Sequence, residues 1–193
     1  GNRHGLAFPA LRGAIQLANA SEAIAALDEM RGLLPVAAQH LRRGLAEVSL
    51  PGRFQVFPGR PMVVADVAHN PQAARVLAEN LAATGFTPRL HAVFGVLGDK
   101  DAAGVAGALA AKVTDWHLAT LAGVRGRAAG ELAGIVKQAA PGATIATYAT
   151  PAEAYAGARS AAGENDKIII FGSFLTVAEV LRHLERAQPA NNA

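Results

Sequence analysis

Asp66, His69 and Asn70 fall close together in VVADVAHNPQAARVLAENL (63–81), where an apolar run gives way to a helical pattern. A carboxylate and an imidazole in one turn are side chains that could carry chemistry, and the imidazole is the one whose charge changes near neutral pH. A carboxylate at the end of a buried strand must be hydrogen-bonded or paired to be tolerated, which favours a functional reading of Asp66. Asn70 before Pro71 reads first as a helix cap with proline at the first helical position, and His69 in a turn reads equally as an exposed residue. Lys100, between Asp99 and Asp101, is a loop charge or a substrate contact, while Ser173 and Thr176 are caps first and ligand contacts second. Arg53, after Pro51-Gly52, is either a surface residue or a phosphate clamp that uses its planar fork.

These residues need a scaffold, and the hydrophobic pattern supplies one. Residues 14–30 and 36–47 carry helical spacing, and Pro51-Gly52 then punctuates the chain, placing a boundary near Ser49. Beyond it, apolar runs at 54–57, 62–67, 90–96, 116–120, 144–149 and 167–172 alternate with helical stretches starting near Pro71, Asp101, Ala128, Pro151 and Thr176. Thr150-Pro151-Ala152-Glu153 and Thr176-Val177-Ala178-Glu179 both read as capping boxes. The alternation predicts an α/β fold: a Rossmann-like, six-stranded, mostly parallel sheet with helices on both faces, preceded by a short helical linker segment. The first two strands are joined only by Pro-Gly-Arg-Pro, too short for a crossover, and predict an antiparallel hairpin at one edge. In such sheets ligands bind outside the carboxyl ends of the strands, where Asp66, His69, Lys100 and Ser173 all fall.

Composition narrows the classes. With 193 residues, 51% of them hydrophobic, the chain can bury one main core. Its net charge of +3 is scattered without interleaved aromatics, so nucleic acid is not an expected partner and an anionic small ligand is. There is no cysteine, which excludes disulfides and thiolate sites. No apolar run reaches a membrane span and no signal peptide is evident, so a cytoplasmic location is expected; a monomer is the default expectation for its oligomeric state. The six His are dispersed, without metal-site spacing. Neither G-x-x-x-x-G-K-[ST] nor G-x-G-x-x-G occurs. The start Gly1-Asn2-Arg3-His4 is consistent with a tag remnant on a piece of something longer, and the polar tail 188–193 is expected to fray. The residues alone reach an α/β ligand-binding domain.

Five ordered motifs go further. The run Asp66-Val67-Ala68-His69-Asn70-Pro71 resembles the Asp-x-Ala-His-Asn-Pro turn of the C-terminal domain in the Mur ligase superfamily, with Val67 where Gly is common. FPALRGAIQLANASEAIAAL (8–27), LPGRFQV (50–56), FGVLGDKD (94–101) and FGSFLTVAEVL (171–181) are similar to the linker, the Pro-Gly-Arg step, the Asp-Lys-Asp loop and the final strand and helix of its folylpolyglutamate synthase/dihydrofolate synthase branch. The resemblance implies an ATP- and magnesium-dependent ligase that phosphorylates a carboxylate of dihydropteroate or tetrahydrofolate and joins L-glutamate to it. It implies that residues 1–48 are a linker and the end of an N-terminal ATPase domain, that 49–193 are the C-terminal domain, and that the phosphate loop and metal ligands lie in the N-terminal domain. Without that domain the segment is expected to be inactive. By the same resemblance Asn19, Arg53 and Asp66 contact ATP, His69 lies by the transferring phosphoryl or incoming glutamate, and Lys100 and Ser173 lie on the substrate side. The C-terminal domain of a peptidoglycan Mur ligase, and a non-catalytic α/β binding module, are the alternatives.

Overall fold

The computed structural model describes residues 5–187; the Gly1–His4 start and the 188–193 tail lie outside the described residues. The chain divides into two compact units, residues 1–55 and 56–193. In the first, α1 (Ala14–Glu29) and α2 (Ala38–Glu47) are joined by a turn. The segment before α1 is tied to α2 by the Ala10 N–H donating to the Leu45 carbonyl (2.8 Å) and the Arg42 Nε–H donating to the Gly5 carbonyl (3.0 Å).

From there the order is β1 (Gln55–Phe57), β2 (Met62–Ala65), α3 (Pro71–Ala82), β3 (Leu90–Phe94), α4 (Ala102–Leu109), β4 (Asp115–Ala119), α5 (Ala129–Ala139), β5 (Thr144–Tyr148), α6 (Pro151–Ala161), β6 (Lys167–Phe171) and α7 (Phe174–Ala187). Each expected strand is present, within a residue or two at its ends. β1 starts at Gln55 rather than Phe54 because Phe54 turns into positive φ (41°), outside the β region.

The sheet order is β1-β2-β6-β3-β4-β5, with β1 and β2 antiparallel and every other neighbouring pair parallel. β3, β4 and β6 are buried along their whole length, as strands covered on both faces require. Helices α3, α4 and α5 pack beside one another in one layer, and α6 packs with α7 in the other. On the first face Phe94 stacks on Phe171 (ring centroids 4.8 Å) with Trp116 edge-on to Phe94 (5.7 Å); truncating such an aromatic costs about 3–5 kcal/mol. On the second, Val93, Ile168 and Ile170 meet Ala154, Ala158, Val177 and Val180.

This order fixes where a site can form. The chain leaves β2 and β3 for helices of one layer, while β6, seated between them, leaves for α7 in the other. Loops that diverge from neighbouring strand ends open a crevice at the carboxyl rim.

Two helix starts match expectation. The Asn70 Oδ1 accepts from Ala73 N–H (2.8 Å), and the Thr150 Oγ1 from Glu153 N–H (3.1 Å). The third does not. α7 begins at Phe174, so Thr176 lies inside the helix, fully buried, and its Oγ1 donates to the Gly95 carbonyl (2.7 Å) instead of capping. Ser173 Oγ takes the cap by accepting from Leu175 N–H (3.1 Å), and Glu179 accepts from Ala152 N–H at the start of α6 (3.2 Å). The local signature was real, but a tertiary partner outbid it.

Candidate functional site

The turn after β2 is built by its own side chains. The Asp66 amide continues the ladder by donating to the Ile170 carbonyl (2.9 Å), and its carboxylate accepts from Ala68 N–H (2.8 Å), an Asx turn that reverses the chain. Val67 and Ala68 plug the core, leaving Asp66 and His69 half-buried at the rim. His69 Nδ1 lies 2.8 Å from the Val67 carbonyl. A carbonyl can only accept, so Nδ1 carries the proton, and Nε2 is the nitrogen left facing outward to bond a ligand.

The neighbouring loops are fixed by contacts of their own. Gly172, at φ 106°, carries the chain from β6 into α7; a Cβ there would come within 2.5 Å of the Gly95 carbonyl oxygen. Ser173 is buried in its capping role. Phe174, the first residue of α7, brings its ring to 6.2 Å from that of His69. Lys100 pairs with Asp99 (3.2 Å), which also accepts from Arg125 (2.8 Å); the Arg125 bond first, against a desolvation cost, and then Lys100, hold the Asp99 carboxyl below its usual range. Arg127 clamps the loop from behind, its Nη2 donating to the carbonyls of Gly98 (2.6 Å) and Lys100 (3.2 Å) and its Nη1 to Glu131 (2.5 Å).

Asp66, His69, Lys100 and Ser173 thus stand on one carboxyl rim, carried by β2, β3 and β6. Asn19 and Arg53 belong to the first unit, where both line an apolar cavity of about 570 Å³ between α1 and α2, whose other walls include Leu27, Leu41 and Val48. The Asn19 Nδ2 donates to Gln16 Oε1 (3.1 Å) within that cavity.

Arg127, in the stretch GVRGRAAG (123–130), carries no local signal that sets it apart from other loop arginines. A second polar group, at and beneath the amino ends of the strands, also went unseen. His91, fully buried on β3, places Nδ1 3.3 Å from His117 Nε2 of β4, whose Nδ1 lies 3.1 Å from the Tyr148 hydroxyl. His91 Nε2 faces Asp166 at 3.5 Å. Burial, then the nearby His91, push His117 down to about 4 from 6.5, while Asp115 acts the other way. Burial alone would raise Asp115; hydrogen bonds from Thr114 and then Arg89 hold its carboxyl low. The dispersed histidines of the sequence are therefore paired in space, but among the described residues no three His, Asp or Glu side chains converge as a metal site.

The family model of the Mur ligase glutamate ligase domain matches residues 52–174. The dihydrofolate synthase/folylpolyglutamate synthase of Escherichia coli (strain K12) is 38% identical over 167 residues, covering 86% of this chain and 38% of that protein. The structure of E. coli FolC in complex with DHPP and ADP superposes with a TM-score of 0.85 at 34% identity, covering 98% of this chain and 43% of that one. A bifunctional folylpolyglutamate synthase/dihydrofolate synthase with Mn, AMPPNP and L-glutamate bound gives 0.80 at 38% identity, covering 96% and 43%. The chain spans about two fifths of the length of these proteins. With the family model matching more than half of its length, and the rim turn, sheet order and loops arranged as described, the chain belongs to the Mur ligase family through its glutamate ligase domain.

Proposed function

We propose that this chain is the C-terminal part of an ATP-dependent ligase that joins L-glutamate to folates, and to dihydropteroate as well, through an acyl phosphate. The observation that carries the reading is the β2–α3 turn, which holds a carboxylate and an oriented imidazole at the switch point of the sheet. Relatives bearing the same domain were solved with adenine nucleotides, manganese and L-glutamate. In this reading residues 1–48 are the linker and end of an N-terminal ATPase domain, and 49–193 close over the nucleotide. Exposed Phe8, Leu33, Leu34 and Leu50 in the first unit suit burial against that domain. In this reading the enzyme works in the cytoplasm as a monomer. Among the described residues no helix is long and apolar enough to cross a membrane.

Each side chain then has a task. Arg53 binds phosphate, Asn19 the base, and Asp66 a hydroxyl or amine of the nucleotide. His69 Nε2 stands where the amine of glutamate loses its proton, and Lys100 faces the substrate carboxylates, with Ser173 on the same substrate side in its buried capping role. Phosphoryl transfer is mostly positioning and electrostatic stabilisation, so a closing half that contributes cations and a base has a real share of the rate. The divalent ion supplies Lewis-acid neutralisation of the phosphates, and its ligands are assigned to the N-terminal domain. The test is ligation of radiolabelled glutamate by the full-length protein, with dihydropteroate and tetrahydrofolate offered separately. Product from both acceptors, lost in Asp66→Ala, is the expected result; no product from either returns the chain to the peptidoglycan or non-catalytic readings.

A further inference from the structure

The start of α7 spends two large apolar side chains on solvent. Phe174 is 58% exposed and Leu175 52% exposed, while Thr176 and Val177 behind them turn fully inward. Burying such a side chain is worth about 1.5–3 kcal/mol, which this fold forgoes at both positions. The reversal at Gly172, the Ser173 cap and the Thr176 bond to Gly95 leave the first turn of α7 little freedom, so Phe174 is held at the rim by three separate devices. What it meets there is His69, at 6.2 Å between centroids and 44° between planes, within the range of favourable aromatic pairs.

Resting on the ligase reading above, we propose that Phe174 is the positioning residue of His69 and decides whether the acyl phosphate is taken by amine or by water. His69 is tied through Nδ1 to the Val67 carbonyl, which anchors one edge of the ring but leaves it able to swing about that bond. The Phe174 ring removes the swing and aims Nε2. In the productive step the glutamate nitrogen attacks the acyl carbon, the C–N bond forms, and the C–O bond to phosphate breaks, phosphate leaving with the electron pair. The surplus proton of the amine passes to His69 Nε2. Water attacking the same carbon also expels phosphate, but regenerates the carboxylate and wastes one ATP. An apolar ring beside the base disfavours water there and keeps the imidazole in line for the amine.

The readout is the number of phosphates released per amide formed, in the full-length enzyme with tetrahydrofolate, ATP, magnesium and glutamate. A partly unfolded variant loses both products in proportion, so folding alone does not move this ratio. Phe174→Ala is expected to raise it by about threefold or more and to raise the KM for glutamate, whereas Phe174→Tyr, which keeps the ring, holds the wild-type ratio. An unchanged ratio in the alanine variant overturns the proposal, as does equal uncoupling by alanine and tyrosine. Failure of the wild-type enzyme to form any glutamate amide is a different result, and overturns the ligase reading together with this inference.

Discussion

Acid should loosen the second unit through one residue, His117. Its ring is 5% exposed and packed between His91 and Tyr148, at 5.6 and 5.7 Å between centroids. Burial is the main cause that lowers its pKa from 6.5 to about 4. A histidine depressed in this way takes up its proton more readily in the unfolded chain, so its contribution to stability is complete above the unfolded value and drains away as pH falls toward the folded one. Linkage over that interval removes about 2 kcal/mol by pH 5 and about 3 kcal/mol below pH 4. Asp115 is shifted in the opposite chemical sense, a carboxyl held low, so its contribution is present above its ordinary value of 3.8 and is lost only at lower pH. The window from pH 7 to 5 therefore belongs to His117. The assay is thermal or urea unfolding at pH 7, 6 and 5, with His117→Gln alongside, an amide that still bonds to its neighbours but does not titrate. A loss of about 2 kcal/mol corresponds to a Tm lower by about 5–8 °C for a unit of this size, in wild type alone. Equal acid slopes in the two proteins would refute the reasoning.

Four further outcomes follow from the rim and the first unit. Gly172→Ala puts a methyl group against the Gly95 carbonyl and the Phe94 ring in a left-handed conformation, and should cost about 2–3 kcal/mol in urea unfolding. Asn70→Ala removes a cap and should cost about 1 kcal/mol while ligation continues; loss of ligation without loss of stability would make Asn70 a ligand contact. Lys100→Ala breaks an exposed pair and should leave the unfolding curve in place while slowing amide formation, and normal kinetics would remove Lys100 from the site. Arg53→Ala in the full-length enzyme should raise the KM for ATP about tenfold or more, the worth of one charge-assisted contact, with folate affinity unchanged as read by equilibrium binding.

How much of this could be read from the sequence depends on how local each feature is. The alternation of KIIIFG-like runs with helical stretches announces a parallel sheet because strands covered on both faces must be apolar throughout. The Asp66–Pro71 turn was legible for the same reason: the Asx bond, the Val67 carbonyl and the Asn70 cap all act within five residues. What escaped were features joined by register. His91 and His117 are 26 residues apart and meet because β3 pairs with β4 so that His91 stands opposite Asp115. Thr176 carries a sound capping signature, yet the Gly95 carbonyl that claims its hydroxyl lies 81 residues away. Phe174 had no signal, since an exposed aromatic beside a histidine differs from any other surface residue only once the two rings are in place.

The two ends of the sheet divide the work. At the amino ends charged groups are hydrogen-bonded on the spot: Lys167 Nζ donates to the Thr84 and Gly85 carbonyls just after α3, Arg89 forks onto Asp115, and Asp166 accepts from Arg89 N–H and Gly163 N–H. Buried polar groups tied in this way are costly to break and hold one arrangement. At the carboxyl rim the titratable groups stay half-buried or exposed, and the fixed elements beneath them are glycines, backbone carbonyls and the Arg127 clamp. Groups that keep contact with water at such a rim hold each other less tightly than buried ones do. Moving a charge should therefore have opposite consequences at the two ends: Asp166→Asn should lower stability with little effect on nucleotide affinity, and Asp66→Asn should do the reverse. A variant at either end that lost both together would show that the rim draws its geometry from the polar network below it.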